Sequence, residues 1–123
     1  MDIKEQIAKN LGMKLIDCKR DTNYPETVDM EDSDFDNCSF FTSDEIILGF
    51  YDDDELQLIS FFHEVGHLII QKIIELTHNK YDIEYHAWNV GFKIAHSHGI
   101  CFSRKAKRWA IKQLNSYKYY END

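Results

Sequence analysis

The N-terminal segment combines a helical pattern with a short extended one. Ile3, Ile7 and Leu11 recur at the spacing of a helix that buries one face, and Gly12 follows as a plausible C-terminal stop. The pattern predicts a short helix over residues 2–11. The next residues, 13–18, are compatible with a strand.

Two β-prone runs follow a polar stretch. Residues 21–37 contain the only proline and few apolar side chains, which is typical of an exposed loop. Residues 38–42 and 45–51 are rich in aromatic and β-branched side chains. The Ser43-Asp44 pair between them predicts a β-hairpin.

The segment 54–76 is apolar nearly all round. If it is helical, only a narrow polar stripe remains among its large aliphatic and aromatic residues, which are Leu56, Ile59, Phe61, Phe62, Val65, Leu68, Ile69, Ile70 and Ile73. Such a helix is normally central to a fold and covered on most sides. We therefore expect it to be the core helix of this protein.

Two more helices complete the pattern. After a connection over residues 77–80, the sequence predicts a helix over 83–97 and a last helix from the N-cap candidate Ser103 to about Tyr117. Together these elements predict a single α+β domain over residues 1–123. It has a central buried helix, flanking helices and a short antiparallel sheet.

Charge is distributed unevenly along the chain. The formal net charge is -8, and residues 21–55 carry 13 acidic side chains and no lysine or arginine. The final helix, about residues 104–117, is strongly basic. An acidic chain is a poor candidate for non-specific nucleic-acid binding, which needs a cationic surface. Two roles stay open for the acidic segment 21–55, a solvated surface or a docking surface for a basic protein.

Composition also bears on the compartment. No apolar run approaches the roughly 18 to 20 residues that span a bilayer, and the first residues lack the pattern of a signal peptide. The three cysteines, Cys18, Cys38 and Cys101, have no CxxC spacing. These features favour a cytoplasmic protein that does not associate with membranes.

The core helix carries an HExxH motif, His63-Glu64-Val65-Gly66-His67. Residues four apart share a helix face, so both imidazoles can reach one metal ion. Glu64 points about 100° around the helix, where it can take a proton from a metal-bound water. The alternative is a pair of core histidines satisfied by hydrogen bonds, with Glu64 at the surface.

A catalytic zinc site needs a third protein ligand. The candidates downstream are Glu75, His78, Asp82, Glu84, His86, His96 and His98. On a helix, Glu84 lies on the same face as Ala87, Trp88, Gly91 and Ala95, and a carboxylate there needs a cation or a partner. His86 faces the opposite, solvent side, and His96 and His98 lie about 18 to 21 Å along the axis from Glu84. Glu84 is therefore the predicted third ligand.

The HExxH motif followed by Glu84 resembles the zincin metallopeptidases whose third ligand is a glutamate. The aromatic-rich lead-in 58–62, the run 46–48 and Glu84-x-x-Ala87 are similar to the minimal zincins of the ImmA/IrrE type, which occur in bacteria, prophages and mobile elements. The resemblance covers about residues 45–95, within a metal-binding core of about 45–98. It implies a short sheet beside the metal-binding helices, in which an edge strand, here Glu45 to Phe50, can hold an extended peptide.

The motif and the resemblance together imply a zinc-dependent metallohydrolase that acts on a peptide or protein. In that hypothesis His63, His67 and Glu84 hold zinc (Zn2+), and Glu64 is the general base on the zinc-bound water. The alternative is a non-catalytic binding protein on a zincin scaffold, phage-borne for instance. It would have a structural zinc closed off by His78 or Asp82, and it would engage a protein partner through the acidic surface. The sequence does not specify the oligomeric state.

Overall fold

The computed structural model describes residues 2–18, 39–51, 53–71 and 79–120, with the side chains of 119 and 120 excepted. Within these residues the fold is the predicted α+β class, with four α-helices and a three-stranded sheet. The predicted acidic loop 21–37 lies outside them. The chain divides into two compact units, Met1–Phe61 and Phe62–Asp123, and the expectation of a single domain stays a prediction.

The first unit begins with helix α1, Ile3–Asn10, as the apolar spacing predicts. The Asp2 carboxylate caps it by accepting hydrogen bonds from the backbone N–H groups of Lys4 (2.6 Å) and Glu5 (3.3 Å). Gly12 follows the helix with φ +72°, a left-handed conformation that favours glycine. The chain then enters strand β1, Lys14–Asp17.

The predicted hairpin is present as strands β2, Ser39–Phe41, and β3, Glu45–Leu48, which pair antiparallel. Strand β1 pairs with the other side of β3 in parallel, so the short sheet is mixed and has the order β1-β3-β2. The expectation that Glu45–Phe50 supplies an edge strand is wrong, because β3 is the central strand. Both of its sides are hydrogen-bonded, which leaves no free side for an extended peptide.

The packing of the sheet explains the central place of β3. Ile46, Ile47 and Leu48 are fully buried, and Ile47 forms a core cluster with Ile16 and Cys18. A consecutive apolar run is typical of a strand buried on both faces.

The core helix, α2, spans Asp54–Ile70, and the predicted extension to Leu76 falls mostly outside the described residues. Only Asp54 is exposed in this helix. The expected burial on nearly all sides is therefore confirmed, and it includes three side chains of the polar stripe, Gln57, Ser60 and Glu64. The division between the two units falls within α2, after Phe61.

The second unit adds helices α3, Lys80–Ser97, and α4, Arg104–Asn115, followed by a 3-10 turn, Ser116–Tyr120. Helix α3 begins three residues earlier than predicted because the Asn79 side chain accepts a hydrogen bond from the backbone N–H of Asp82 (2.8 Å). Ser103 caps α4 as predicted, accepting from the backbone N–H of Ala106 (3.1 Å). No helix among the described residues has the length and apolarity to cross a membrane.

Candidate metal centre

The two histidines of the HExxH motif project from one face of α2. They are one turn apart, and their ring centroids lie 4.6 Å from each other with the planes tilted by 53°. Both side chains keep a little exposure, 14% for His63 and 16% for His67. The two imidazoles are therefore largely covered and keep only a small exposed surface.

Glu84 of α3 reaches both imidazoles, as the sequence predicts. Its Oε2 lies 2.7 Å from Nε2 of His63 and 3.1 Å from Nε2 of His67. One ligand atom from each of the three residues falls within 4.8 Å of the others, the spacing of a metal-binding cluster. Two imidazole nitrogens and a carboxylate oxygen thus converge from two helices.

A close backbone crossing brings α3 to this position. A Cβ atom built on Gly66 would collide with the carbonyl group of Ala87, and one built on Gly91 would collide with the carbonyl oxygen of Phe62. Each glycine therefore lets the main chain of the other helix approach where a methyl group would prevent it. Gly66 lies inside the HExxH motif and Ala87 lies three residues after Glu84, so the crossing brings the backbones that carry the two histidines and Glu84 close together.

The hydrogen bonds from the two imidazoles keep the carboxyl group of Glu84 ionised. Burial alone would raise the pKa of Glu84, but the hydrogen bonds from His63 and His67 outweigh it and lower the pKa to about 2. An ionised carboxylate can only accept hydrogen bonds, so Nε2–H of each imidazole is the donor. A metal ion that binds at Nε2 must therefore displace these protons to Nδ1.

His63 is held in the neutral form that a metal ligand requires. Burial lowers its pKa, and this effect outweighs the hydrogen bond to Glu84. Its ring stacks on the indole of Trp88, with centroids 3.9 Å apart and planes within 5° of parallel. The indole, buried on α3 one turn after Glu84, restricts the rotation of the His63 ring.

Glu64 is buried beside the cluster and is not one of its three donors. Its Oε1 lies 4.0 Å from Nδ1 of His63. Burial, and secondarily the negative charge of Glu84, raise the pKa of Glu64 to about 8. The surface position that the non-metal alternative required for this residue is therefore wrong.

The donor set fits a tetrahedral divalent ion with small adjustments. With bonds of about 2.0 to 2.2 Å to nitrogen and oxygen, neighbouring ligands of such an ion are about 3.3 Å apart. The observed separations of 2.7 Å and 3.1 Å between Glu84 Oε2 and the two imidazole nitrogens are shorter, so the carboxylate must withdraw, by about 0.6 Å from His63 and about 0.2 Å from His67. Three protein ligands leave a fourth position open.

None of the other candidate ligands that the structure describes belongs to the cluster. Within the described ranges, the ligand cluster contains neither Asp82 nor the later histidines, His86, His96 and His98. Asp82, His96 and His98 are exposed, and His86 is half-buried. Glu75 and His78 lie outside the described residues.

Sequence reasoning missed one residue of the centre. Trp88 is buried on the helix face that the sequence predicts for Glu84, but no contact with a candidate ligand was predicted for it. Its position four residues after Glu84, on the same face, was the available signal. Its indole Nε1 is buried and has no hydrogen-bond partner among the described residues.

Comparison with known proteins identified no relative of this chain. No protein-family model matches the chain, and no significant match was found among curated proteins or solved structures. The residues that could bind a metal, His63, His67 and Glu84, are therefore identified by the HExxH motif and by their geometry, without support from a relative.

Proposed function

We propose that this protein is a zinc-dependent metallohydrolase of the zincin type, acting on peptide bonds. The observation that carries the proposal is the convergence of His63, His67 and Glu84, with the carboxyl group of Glu64 buried next to them. The order of these residues along the chain is that of the zincins whose third ligand is a glutamate.

The donor chemistry supports zinc among the common divalent ions. Calcium and magnesium prefer sites built from oxygen ligands, whereas two imidazoles and one carboxylate are a catalytic zinc set. When bound, zinc supplies Lewis-acid polarisation of the substrate and lowers the pKa of water to about 7. His63 and Glu84 are already in the neutral and ionised forms that such binding needs.

Glu64 is the residue that moves the proton in this proposal. As a carboxylate it accepts a proton from the water that attacks the peptide carbonyl, and it then donates this proton to the leaving nitrogen as the C–N bond breaks. Its buried position favours retention of the proton between the two steps, because burial stabilises the protonated form. A divalent cation bound by His63, His67 and Glu84 would oppose this effect and favour the ionised form of Glu64 that accepts the proton.

Metal content and hydrolysis, measured separately, test the proposal. The wild-type protein should bind one zinc per chain and hydrolyse an unstructured protein such as casein. Glu64→Gln should keep the zinc and lose hydrolysis, whereas Glu84→Ala should lose both. His98→Ala changes an exposed histidine outside the cluster and should keep both properties.

Two results would contradict the proposal. A wild-type protein that binds no zinc would exclude a zinc site. Stoichiometric zinc without hydrolysis, together with an X-ray absorption spectrum that shows four protein ligands, would favour a structural metal in a binding protein.

A further inference from the structure

A groove opens on the second unit, at the C-terminal part of α3 and the first half of α4. It has a volume of about 340 Å³ and four apolar lining residues, Phe92, Ile100, Phe102 and Ile111. Phe92 and Phe102 pack edge to face, with ring centroids 5.9 Å apart. We call this feature the Phe92–Ile111 groove.

The rim of the groove is exposed and polar. His96, Cys101 and Lys107 complete its lining, and all three are exposed. The side chain of Ile111 is 56% exposed. Among the described residues, Tyr85 is the one other large hydrophobic residue that is exposed. An exposed aliphatic side chain at the mouth of an apolar groove is typical of a binding surface.

The surface beside the groove is cationic. Arg104, Arg108 and Lys112 follow one another at four-residue intervals along α4, and Lys107 and Ile111 form the adjacent row. No aspartate or glutamate occurs between Glu84 and Glu121 in the sequence, so no acid of this segment neutralises these charges. The groove therefore combines an apolar interior with a positive border.

We propose that the Phe92–Ile111 groove binds an acidic peptide segment of another protein, with one aliphatic or aromatic side chain inserted among flanking aspartates and glutamates. The spacing of the cations along α4 matches the spacing of side chains along an extended peptide. Cations four residues apart on a helix are about 6 Å apart along its axis, and alternate side chains of an extended peptide are about 6.6 to 6.8 Å apart. Acidic residues at alternate positions can thus pair with successive cations of α4.

The apolar interior favours a peptide over a nucleic acid. A phosphate backbone would meet the cations but leave the exposed side chain of Ile111 uncovered, and the net charge of -8 opposes a polyanion at long range. A short acidic peptide carries fewer charges and supplies the anchoring side chain. This binding goes beyond the proposed hydrolysis and does not require the metal centre.

Fluorescence anisotropy with a labelled peptide, Asp-Glu-Asp-Phe-Asp-Glu-Asp, tests the inference. The full chain should bind it, in EDTA as well as with zinc. Ile111→Asp should weaken binding at least tenfold, because it removes the apolar contact and adds a repelling charge. Lys107→Glu should weaken binding and make it less sensitive to salt. Lys9→Glu makes the same charge change at an exposed residue that does not line the groove, and it should leave the affinity within about twofold.

A second peptide, with glycine in place of phenylalanine, separates anchoring from general charge attraction. It should bind at least tenfold more weakly than the first peptide. Equal binding of the two peptides, or an unchanged affinity of Ile111→Asp with a native circular dichroism spectrum, would overturn the inference. So would tighter binding of a labelled single-stranded oligonucleotide of equal charge, which would identify a nucleic-acid surface.

Discussion

The indole of Trp88 lies flat against the imidazole of His63, with ring centroids 3.9 Å apart and an angle of 5° between the planes. Helix α3 therefore contacts the proposed metal ligand His63 twice. The first contact is made by Glu84 and the second by Trp88, one turn later on the same helix. Because Trp88 is only 5% exposed, the stacked pair is well shielded from water. Trp88 therefore acts as a positioning residue for His63.

We expect Trp88→Leu to weaken zinc binding by about tenfold to a hundredfold, the usual effect of losing a residue that orients a metal ligand. Trp88→Phe keeps an aromatic face and should lose much less. Competition with a chromophoric chelator measures both affinities. Equal affinities for the leucine and phenylalanine variants would show that stacking does not position the imidazole.

Gly66→Ala should destabilise the protein by about 3 kcal/mol or more, because the added methyl group collides with the backbone of Ala87 and the helices must separate. Urea unfolding with EDTA present measures this loss without a contribution from metal. Gly99→Ala is the control, since nothing lies within 4 Å of its Cβ and its φ of +78° makes the cost only a backbone effect of about 1 kcal/mol. A smaller loss at Gly66 than at Gly99 would contradict the close crossing.

Metal-free protein should lose stability as the pH rises towards 8. Burial, with the charge of Glu84, raises the pKa of Glu64 from 4.5 to about 8 in the folded protein, so the folded state keeps a proton that the unfolded chain releases near pH 4.5. This contribution is fully present below pH 4.5 and is lost as the pH rises through about 8.

Urea midpoints in EDTA, measured from pH 5 to pH 9, follow this titration. The wild-type midpoint should fall over this range, and the decline should be much smaller in Glu64→Gln, which cannot ionise at this position. Parallel curves for the two proteins would show that Glu64 is not the titrating group.

Zinc should raise the melting temperature of the wild-type protein. At free zinc of 100 times the dissociation constant, binding to the native state adds about 2.7 kcal/mol, or about 10 °C for a chain of this size. Glu84→Gln keeps the shape of the side chain but removes the charge, and its melting temperature should change by less than about 2 °C under the same conditions. Differential scanning calorimetry at equal zinc concentrations compares the two, and an equal rise in both would place the ion elsewhere.

The three candidate ligands could be predicted because the evidence for each lies within one short stretch of sequence. HExxH fixes two imidazoles on one helix face, and Glu84 falls on a face of small and aromatic residues where an unpaired carboxylate is costly. The stacking of Trp88 on His63 could not be predicted in the same way. It depends on how closely α2 and α3 cross, which is a tertiary property.

The strand order of the sheet also could not be predicted from local sequence. The hairpin of β2 and β3 follows from adjacent β-prone runs, but the parallel pairing of β1 joins segments about 30 residues apart. No local signal gives the partner of such a strand, and so β3 was wrongly expected at an edge. The early start of α3 depends on one capping side chain, Asn79, in a stretch that otherwise resembles a connection.

The crossing at Gly66 and Gly91 has one more consequence. Since main chain meets main chain there, no side chain lies between the two helices at the crossing, and only the side chains of His63, His67 and Glu84 can adjust the distances between their donor atoms. If the proposed metal site is correct, folding already brings its three candidate ligands together, so this part of the entropic cost of binding does not fall on the binding step. A change in the distance between the two helices at this point would therefore have to begin at these two glycines, however freely the surrounding residues varied.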